Sequence, residues 1–412
     1  MNKFLCILLT GLISLSGSLS AQGMAVRFDR LGPEDGLSQS TISAICQDHY
    51  GFIWVGTRNG LNMFDGYQFT VYKSDPNSSN ALSDNWITAI CEDQKKNFWI
   101  GTINKGLNLF DRVSGVFYHV TDDSTSPVQL TDNSIIAMWP DKESVWVATR
   151  KAVEKVSVTM RDDRPSFRSE VLFEKSSILT VFVDRSGTIW TGSKEGLDSW
   201  AAGRSIHFGH QRNNPRSLSH NTVNAIAEDS SGNLWVATDA GLDRLDKTTG
   251  QFDHYNLTVP GNPVLSDSRV MSLYSDRNGI LWIGTNIGLY KMTSPGSFLA
   301  YRHSQIDPYS LSNNEVRSLF EDRSRILWIG TFGGGGLNKL DLKRQKFLHY
   351  RHEEDNPQSL TNDVVRGFLE ARDGTVWVGT HDGLNHFYPQ SGEFKRYEYK
   401  KADPSGLSHP EA

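Results

Sequence analysis

Short apolar runs alternate with polar residues at period two along almost the whole chain, and eight of them share one wording. A tryptophan is followed by a β-branched residue, then Gly or Ala, then Thr or Ser. The copies begin at Trp54, Trp99, Trp146, Trp190, Trp235, Trp282, Trp328 and Trp377, at intervals of 44 to 49 residues. The fifth is the most regular. Its first strand carries Val223, Ala225 and Ala227 on one face and Thr222, Asn224 and Ile226 on the other. Asp229 and Gly232 turn the chain into the tryptophan strand, because Asp bonds its own following backbone and Gly accepts positive φ. Gly241-Leu242 opens a third strand, and Phe252 and Tyr255 mark a fourth. Four short strands in each repeat of this length make one propeller blade, so the pattern predicts an all-β fold, a β-propeller of four-stranded blades.

The same register predicts the packing. Four residues before the turn Asp stand Ala44, Ala89, Ala137, Thr180, Ala225, Ser272, Ser318 and Gly367, all small, as crowded inner strands require. The eight tryptophans are expected to fill the gaps between sheets. Cys46 and Cys91 occupy the core position held elsewhere by Trp139, Phe182, Ala227, Tyr274, Phe320 and Leu369, which predicts buried free thiols. Repeat three is degenerate, with Ala152-Val153 in place of Gly-Leu and a polar insertion at Arg161-Asp-Asp-Arg164-Pro165. Repeat four lacks the Leu-Ser opening, so this stretch is expected to be the worst-ordered part of the ring.

Blade number turns on Val26 to Leu31, which reads as a fourth strand without its own blade. Such a strand can pair the last blade and leave no open edge. The preferred layout is a seven-bladed propeller over 22–346, with 347–412 as the first blade and partial repeat of a second, truncated ring; the alternative is a single eight-bladed ring. The tail, Asp403-Pro-Ser-Gly-Leu407-Ser408, opens a ninth repeat.

Net charge is −5 over 412 residues with both signs interspersed, which gives no case for nucleic acid. Lys3, the apolar stretch from Phe4 to Leu15 and the small residues from Ser16 to Ala21 read as a signal peptide over 1–21. No later apolar run is long enough to span a membrane. The mature protein is therefore expected to be periplasmic or secreted, without a membrane span in this chain. No metal-spaced His/Cys cluster, nucleophile elbow or phosphate loop is present, so no cofactor is expected. His119, His254 and His349 fall beside outer-strand aromatics, where solvated edge positions are expected.

Gln47-Asp48-His-Tyr-Gly51-Phe-Ile-Trp54-Val-Gly-Thr57-Arg-Asn-Gly60-Leu61-Asn-Met-Phe64-Asp65-Gly66-Tyr67-Gln-Phe69 strongly resembles the first repeat of the two-component regulator propellers. The later Leu-Ser-x-Asn and Trp-Ile-Gly-Thr units look like the same family, over roughly residues 26 to 412. The resemblance implies a periplasmic sensor region, often two seven-bladed rings followed by a small β-sandwich, a membrane helix and a cytoplasmic kinase or diguanylate cyclase module. This chain lacks the sandwich, the helix and every output motif. The resemblance thus implies a non-catalytic ligand-sensing module with a small-molecule or oligosaccharide ligand, and self-association as a dimeric sensor. Two rival classes remain: a protein-docking or structural ring, and an enzyme, since the Gly-Asn-Leu-Trp235 turn is similar to turns of the streptogramin lyase propellers.

Loops on a rigid scaffold carry function, and residues that break the repeat's own pattern are the candidates. At the start of the first strand, where other copies have Thr41, Ser134, Ser177 and Thr222, stand Trp86, Arg269 and Glu315. Two residues further in, Arg317 and Arg366 replace Ser43, Thr88 or Asn224. The connections after the tryptophan strand add Arg58, Lys105, Arg150, Lys151 and Lys194. An aromatic with several Arg and Lys around one mouth suits an anionic ligand, because Arg grips carboxylates with two parallel bonds.

Overall fold

The computed structural model describes residues 26–123, 126, 128–161, 164–257, 269–343, 350–354, 356–399, 407 and 409. The expected signal segment, His349 and most of the tail repeat lie outside the described residues. All eight tryptophan repeats form four-stranded antiparallel sheets, the blades of a propeller. Val26–Lys343 makes one compact unit holding seven of the sheets, and the Trp377 sheet belongs to a second unit with Arg344–Ala412.

Seven sheets are simple meanders, exemplified by Val223–Glu228, Leu234–Thr238, Gly241–Asp246 and Gln251–Tyr255. The Trp328 sheet differs. Its outer strand is Asp29–Leu31, paired with Leu337–Lys339, so the first described strand of the chain completes a sheet whose other strands come from the far end of this unit. One contact recurs between successive blades and explains the Gly of the repeated phrase. A Cβ on Gly56 would sit 2.7 Å from Ile87 Cγ2, and one on Gly330 would sit 2.6 Å from Ile42 Cγ2. A β-branched residue opening one sheet thus rests on the bare backbone of the sheet before it. The Gly330–Ile42 contact joins the Trp328 sheet to the Trp54 sheet, where Trp328 also meets Phe64 edge-on at 6.0 Å.

Every first strand carries a bulge that the alternating pattern did not reveal. Register slips at Ser43, Thr88, Ile136, Leu179, Asn224, Met271, Arg317 and Arg366, one extra residue in each sheet. A bulge reverses the alternation beyond it. Val223 and Ile226, expected on opposite faces, are consequently both buried.

The tryptophans pack between sheets and also hold the turns. Trp54, Trp99, Trp190, Trp235, Trp282 and Trp328 each donate Nε1–H to the turn Asp six residues earlier, at 2.8 to 3.1 Å. The other oxygen of that Asp accepts backbone N–H groups of its own turn. Trp146 stands only five residues after Asp141, and that carboxylate binds Lys155 and Ser144 instead. Trp377, whose repeat has Ala371, stacks on His386. Cys46 and Cys91 are buried free thiols, and burial together with the charges of Glu92 and Asp48 pushes Cys46 up to about 12, far from reactivity.

In repeat three, Ala152–Arg161 and Arg164–Glu174 form strands of ten and eleven residues, twice the length of their counterparts, and Asp162 and Asp163 between them lie outside the described residues.

Turns at the Asp end are tied between blades. Arg112 donates to Asp48 and Glu92, both at 2.6 Å, and Lys247 to Asp184 and Glu228, both at 2.8 Å. Burial alone would raise the Asp184 carboxyl, but the bonds from Lys247, Ser186 and Trp190 outweigh it and hold it near 2. A carboxyl at about 2 in the fold and 3.8 unfolded contributes stability that is full above the unfolded value and is lost as pH falls toward the folded one. Lys247→Ala is therefore expected to flatten the fall in melting temperature between about pH 4 and 2. Parallel slopes for parent and variant would contradict the assignment.

Candidate functional site

The opposite end of the sheets is built by the two most regular pieces of the repeat, Leu-Ser and the closing Thr. The Leu of each pair is buried, as Leu37, Leu218 and Leu311 show. The Ser hydroxyl meets the Thr hydroxyl of its own blade: Ser38 with Thr57 at 2.9 Å and Ser219 with Thr238 at 2.8 Å. That Thr also donates to the carbonyl of the Gly opening the third strand, as in Thr57 to Gly60 at 3.0 Å. A polar residue on the third strand accepts the Ser backbone N–H: Asn62, Asn108, Asp243 and Asn338. These buried, mutually satisfied groups fix the connections at this end as a rigid rim.

His119 and His254, expected as solvated edge residues, belong to that rim. His119 Nε2 bonds the Ala81 carbonyl, while His254 bridges Asp243 at 2.7 Å and the Pro215 carbonyl at 2.9 Å. The Asp243 bond raises the His254 pKa above its ordinary value.

Four of the predicted residues come together on the rim, and a fifth joins them. The Arg58 guanidinium lies 4.7 Å from the Trp86 ring centre and 4.9 Å from that of Phe332. Arg317 lies over Phe332 at 4.3 Å, and its Nε and Nη2 both donate to Glu315 Oε1, at 2.7 and 2.5 Å. Three blades contribute: Arg58 follows the Trp54 strand, Trp86 precedes Ile87, and Glu315, Arg317 and Phe332 come from the Trp328 blade. Backbone bonds anchor the aromatic and the acid, from Ile103 N–H to the Trp86 carbonyl and from Phe332 N–H to that of Glu315. Arg317 is the extra residue of its bulge, a device that re-aims a side chain.

Charge here is positive in balance. Glu315 offsets Arg317, and among the described residues Arg58 has no carboxylate partner. A cation between two aromatic faces is attracted to both, by about 0.5–1 kcal/mol each when exposed. Trp86 remains 38% exposed.

The other candidates fall elsewhere. Arg366 belongs to the second unit, where its guanidinium lies 3.2 Å from His381 Nδ1. Lys105 lines a cleft of about 550 Å³ with Asp75, Asp84 and His119. Lys151 pairs with Asp132 at 3.5 Å. Arg150 and Lys194 are exposed on their own connections, and Arg269 is exposed with its carbonyl bonded to Asn286 N–H. Phe332 was missed, although it was within reach: it follows Trp-Ile-Gly-Thr331 where the other copies have Arg58, Ile103, Arg150, Lys194, Asp239, Asn286 and His381. Among the described residues no three His, Cys, Asp or Glu side chains group so as to hold a metal ion, and no helix is long and apolar enough to cross a membrane.

The two-component regulator propeller family model matches residues 36–59, 81–104, 217–240, 264–286, 310–333 and 359–382. The extracellular domain of the hybrid two-component system BT3049 from B. thetaiotaomicron superposes with a TM-score of 0.66 at 23% identity, over 91% of this chain and 55% of that one. The corresponding domain of BT4673 from the same organism gives 0.59 at 20% identity, over 93% and 54%. Virginiamycin B lyase from Staphylococcus aureus gives 0.55 at 14%, over 77% of this chain and 99% of that one, a likeness of fold. Histidine kinase P4 of Formosa agariphila is 48% identical over 67 residues, 16% of this chain and 5% of the kinase. The chain thus spans about half the length of the solved sensor domains that it matches. Trp-x-Gly-Thr, Leu-Ser and the turn Asp are each accounted for by a repeated contact, and six of the eight repeats that carry them match two-component regulator propeller repeats.

Proposed function

We propose that this chain is the extracytoplasmic ligand-sensing region of a two-component-type receptor, exported through its 1–21 signal and non-catalytic, with its transmitter outside this chain. Residues 22–346 make a closed seven-bladed ring. Pairing of Asp29–Leu31 with Leu337–Lys339 and the Gly330–Ile42 contact support that closure. Residues 347–412 open a second ring. Support comes from the strand Val365–Glu370, which is exposed throughout, with Phe368 at 82% beside a cleft of about 680 Å³ that Trp377 and Gly379 also line. In the first unit the equivalent Ile226 is 7% exposed under its neighbouring blade.

The ligand is an anionic small molecule or acidic oligosaccharide bound at the rim by Arg58, Trp86, Phe332 and Arg317. The observation that carries this reading is Arg58, an unmatched cation held between two aromatic rings on the loop-bearing face. A sugar ring stacks on the exposed Trp86, while its carboxylate takes two parallel bonds from Arg58. Arg317 is already occupied by Glu315 and half-exposed, so it contributes less than a buried cation would.

Calorimetry with oligogalacturonates and with neutral galactose oligomers tests this. Acidic oligomers are expected to bind, and Arg58→Ala to weaken them at least tenfold, about 1.4 kcal/mol, with Arg317→Ala smaller. Equal binding of neutral oligomers, or an unaltered Arg58→Ala, would overturn the anionic site.

A further inference from the structure

The outer strand of the third blade is unlike every other outer strand. Arg164–Glu174 runs for eleven residues, whereas the other outer strands of the first unit have three to five. Its partner Ala152–Arg161 is itself paired on the inner side only from Val153 to Ser157. Val158 to Arg161 and Arg164 to Phe167 therefore form a two-stranded arm beyond the sheet. A two-stranded ribbon is marginal alone, and its outer edge presents a row of unpaired backbone groups.

The blade end of the arm is fixed. Phe167 is 9% exposed and packs edge-on against Trp99, and the Ser169 hydroxyl donates to buried Glu154 at 2.6 Å. Arg168 and Glu170, alternating with these two, point to the opposite face and are exposed, as are Arg164 and Glu174. Among the described residues none of these four charges has an ion-pair or hydrogen-bond partner within the chain. Their order is self-complementary. With an identical strand laid antiparallel and centred on Ser169, Arg168 faces Glu170 of the other copy twice. Side chains directly opposite on an antiparallel pair have Cβ atoms about 4.5–5.5 Å apart, within reach of such bonds. The extra residue at Leu172 reverses the faces beyond it and turns Glu174 to the Phe167 side, so the Arg168–Glu170 pairs carry the contact.

We infer that the third blade's edge is a dimerisation strand. Two copies of this chain pair antiparallel through Arg164–Glu174, joining two four-stranded blades into one eight-stranded sheet about a two-fold axis at Ser169. An isologous contact uses the same patch on both copies, which is what a charge order complementary to its own reverse provides. A heterologous partner strand would need no such order. Edge pairing also covers Val171 and Leu172, which are 47% and 38% exposed.

Sedimentation of the full mature chain over a concentration series tests this. The parent is expected to move reversibly from monomer to dimer as concentration rises. Arg168→Glu places Glu opposite Glu170, and Glu170→Arg places Arg opposite Arg168. Each alone should raise the dimer dissociation constant at least tenfold, with the melting curve of the monomer unchanged. Mixed in equal amounts, the two variants restore both opposite-charge pairs, so a heterodimer should form where neither variant self-associates; the double variant Arg168→Glu/Glu170→Arg should again form a homodimer. A parent that stays monomeric, or a dimer indifferent to both substitutions, overturns the proposal. If one variant fails to fold, the other and the double variant still decide it.

Discussion

Trp235→Ala is expected to lower the unfolding free energy by about 3–5 kcal/mol, as the truncation of a large core aromatic. Trp235 is 3% exposed and lies in one cluster with Val270, Leu281 and Ile283 of the next blade, with Tyr255 edge-on at 5.0 Å. Two losses add. The first is the inter-blade filling, which neighbouring sheets cannot collapse to replace because their spacing is set all around the ring. The second is the Nε1–H bond to Asp229 at 2.8 Å. Asp229 keeps Asn233 and the N–H groups of Ser231 and Asn233, so the carboxylate is not orphaned. Trp235→Phe separates the terms: it retains most of the volume and loses the bond, and should cost only about 1–3 kcal/mol. Denaturant unfolding of both variants measures the difference. Equal costs would mean that the turn bond, rather than the packing, dominates; an unchanged midpoint for Trp235→Ala would remove this tryptophan from the core.

Much of this architecture was legible because a propeller writes each structural device seven or eight times. The Trp, the small residue, the turn Asp and the Gly-Leu opening are positional requirements of a single blade, and their recurrence separates requirement from accident. The bulge escaped for a physical reason. One extra residue reverses a strand's faces, but Asn224 between Val223 and Ala225 reads as one more polar member of an alternation, and nothing in residue type marks the slip. The third blade's arm escaped because Arg161-Asp-Asp-Arg164 has the composition of a loop whether it interrupts a blade or joins two long strands. His254 is exposed, as an outer-strand position implies, and His119 is half-buried; periodicity does not show that the connections entering their blades supply the Ala81 and Pro215 carbonyls that they bond.

The candidate site was legible in part, by the same logic run backwards. Departures from the repeat picked out Trp86, Glu315, Arg317 and Arg58, which the fold brings together. Repeat position states where in a blade a residue lies, but not which blades are neighbours, so Arg366 was grouped with residues of another unit. Phe332 departs from the repeat as an aromatic rather than a cation, and its ring bridges Arg58 and Arg317.

The seam at which the chain's first strand closes the Trp328 blade, against the Trp282 blade, carries the second large effect. Phe28→Ala is expected to cost about 3–5 kcal/mol, although it only precedes a short strand at the edge of a sheet. Phe28 is 2% exposed, packs edge-on to Tyr301 at 5.7 Å and shares a cluster with Trp282, Leu311 and Leu340. Its N–H donates to the Tyr309 carbonyl at 2.8 Å, and one residue later Asp29 begins the pairing with Leu337–Lys339. Arg30 reaches across the same seam to the Ser310 carbonyl at 2.8 Å. The strand thus joins the chain's beginning to its seventh blade, and loosening it exposes the long edge at Leu337–Asp341. In a closed ring every blade leans on two neighbours, so a defect at the seam should lower the melting of all seven blades together and preserve a single transition. A chain ending at Lys343 should keep that transition, with Phe28→Ala as damaging there as in the full chain. If Phe28→Ala left the midpoint unaltered, or if the shortened chain lost the transition, the seven-bladed closure would give way to a ring that needs the Trp377 blade.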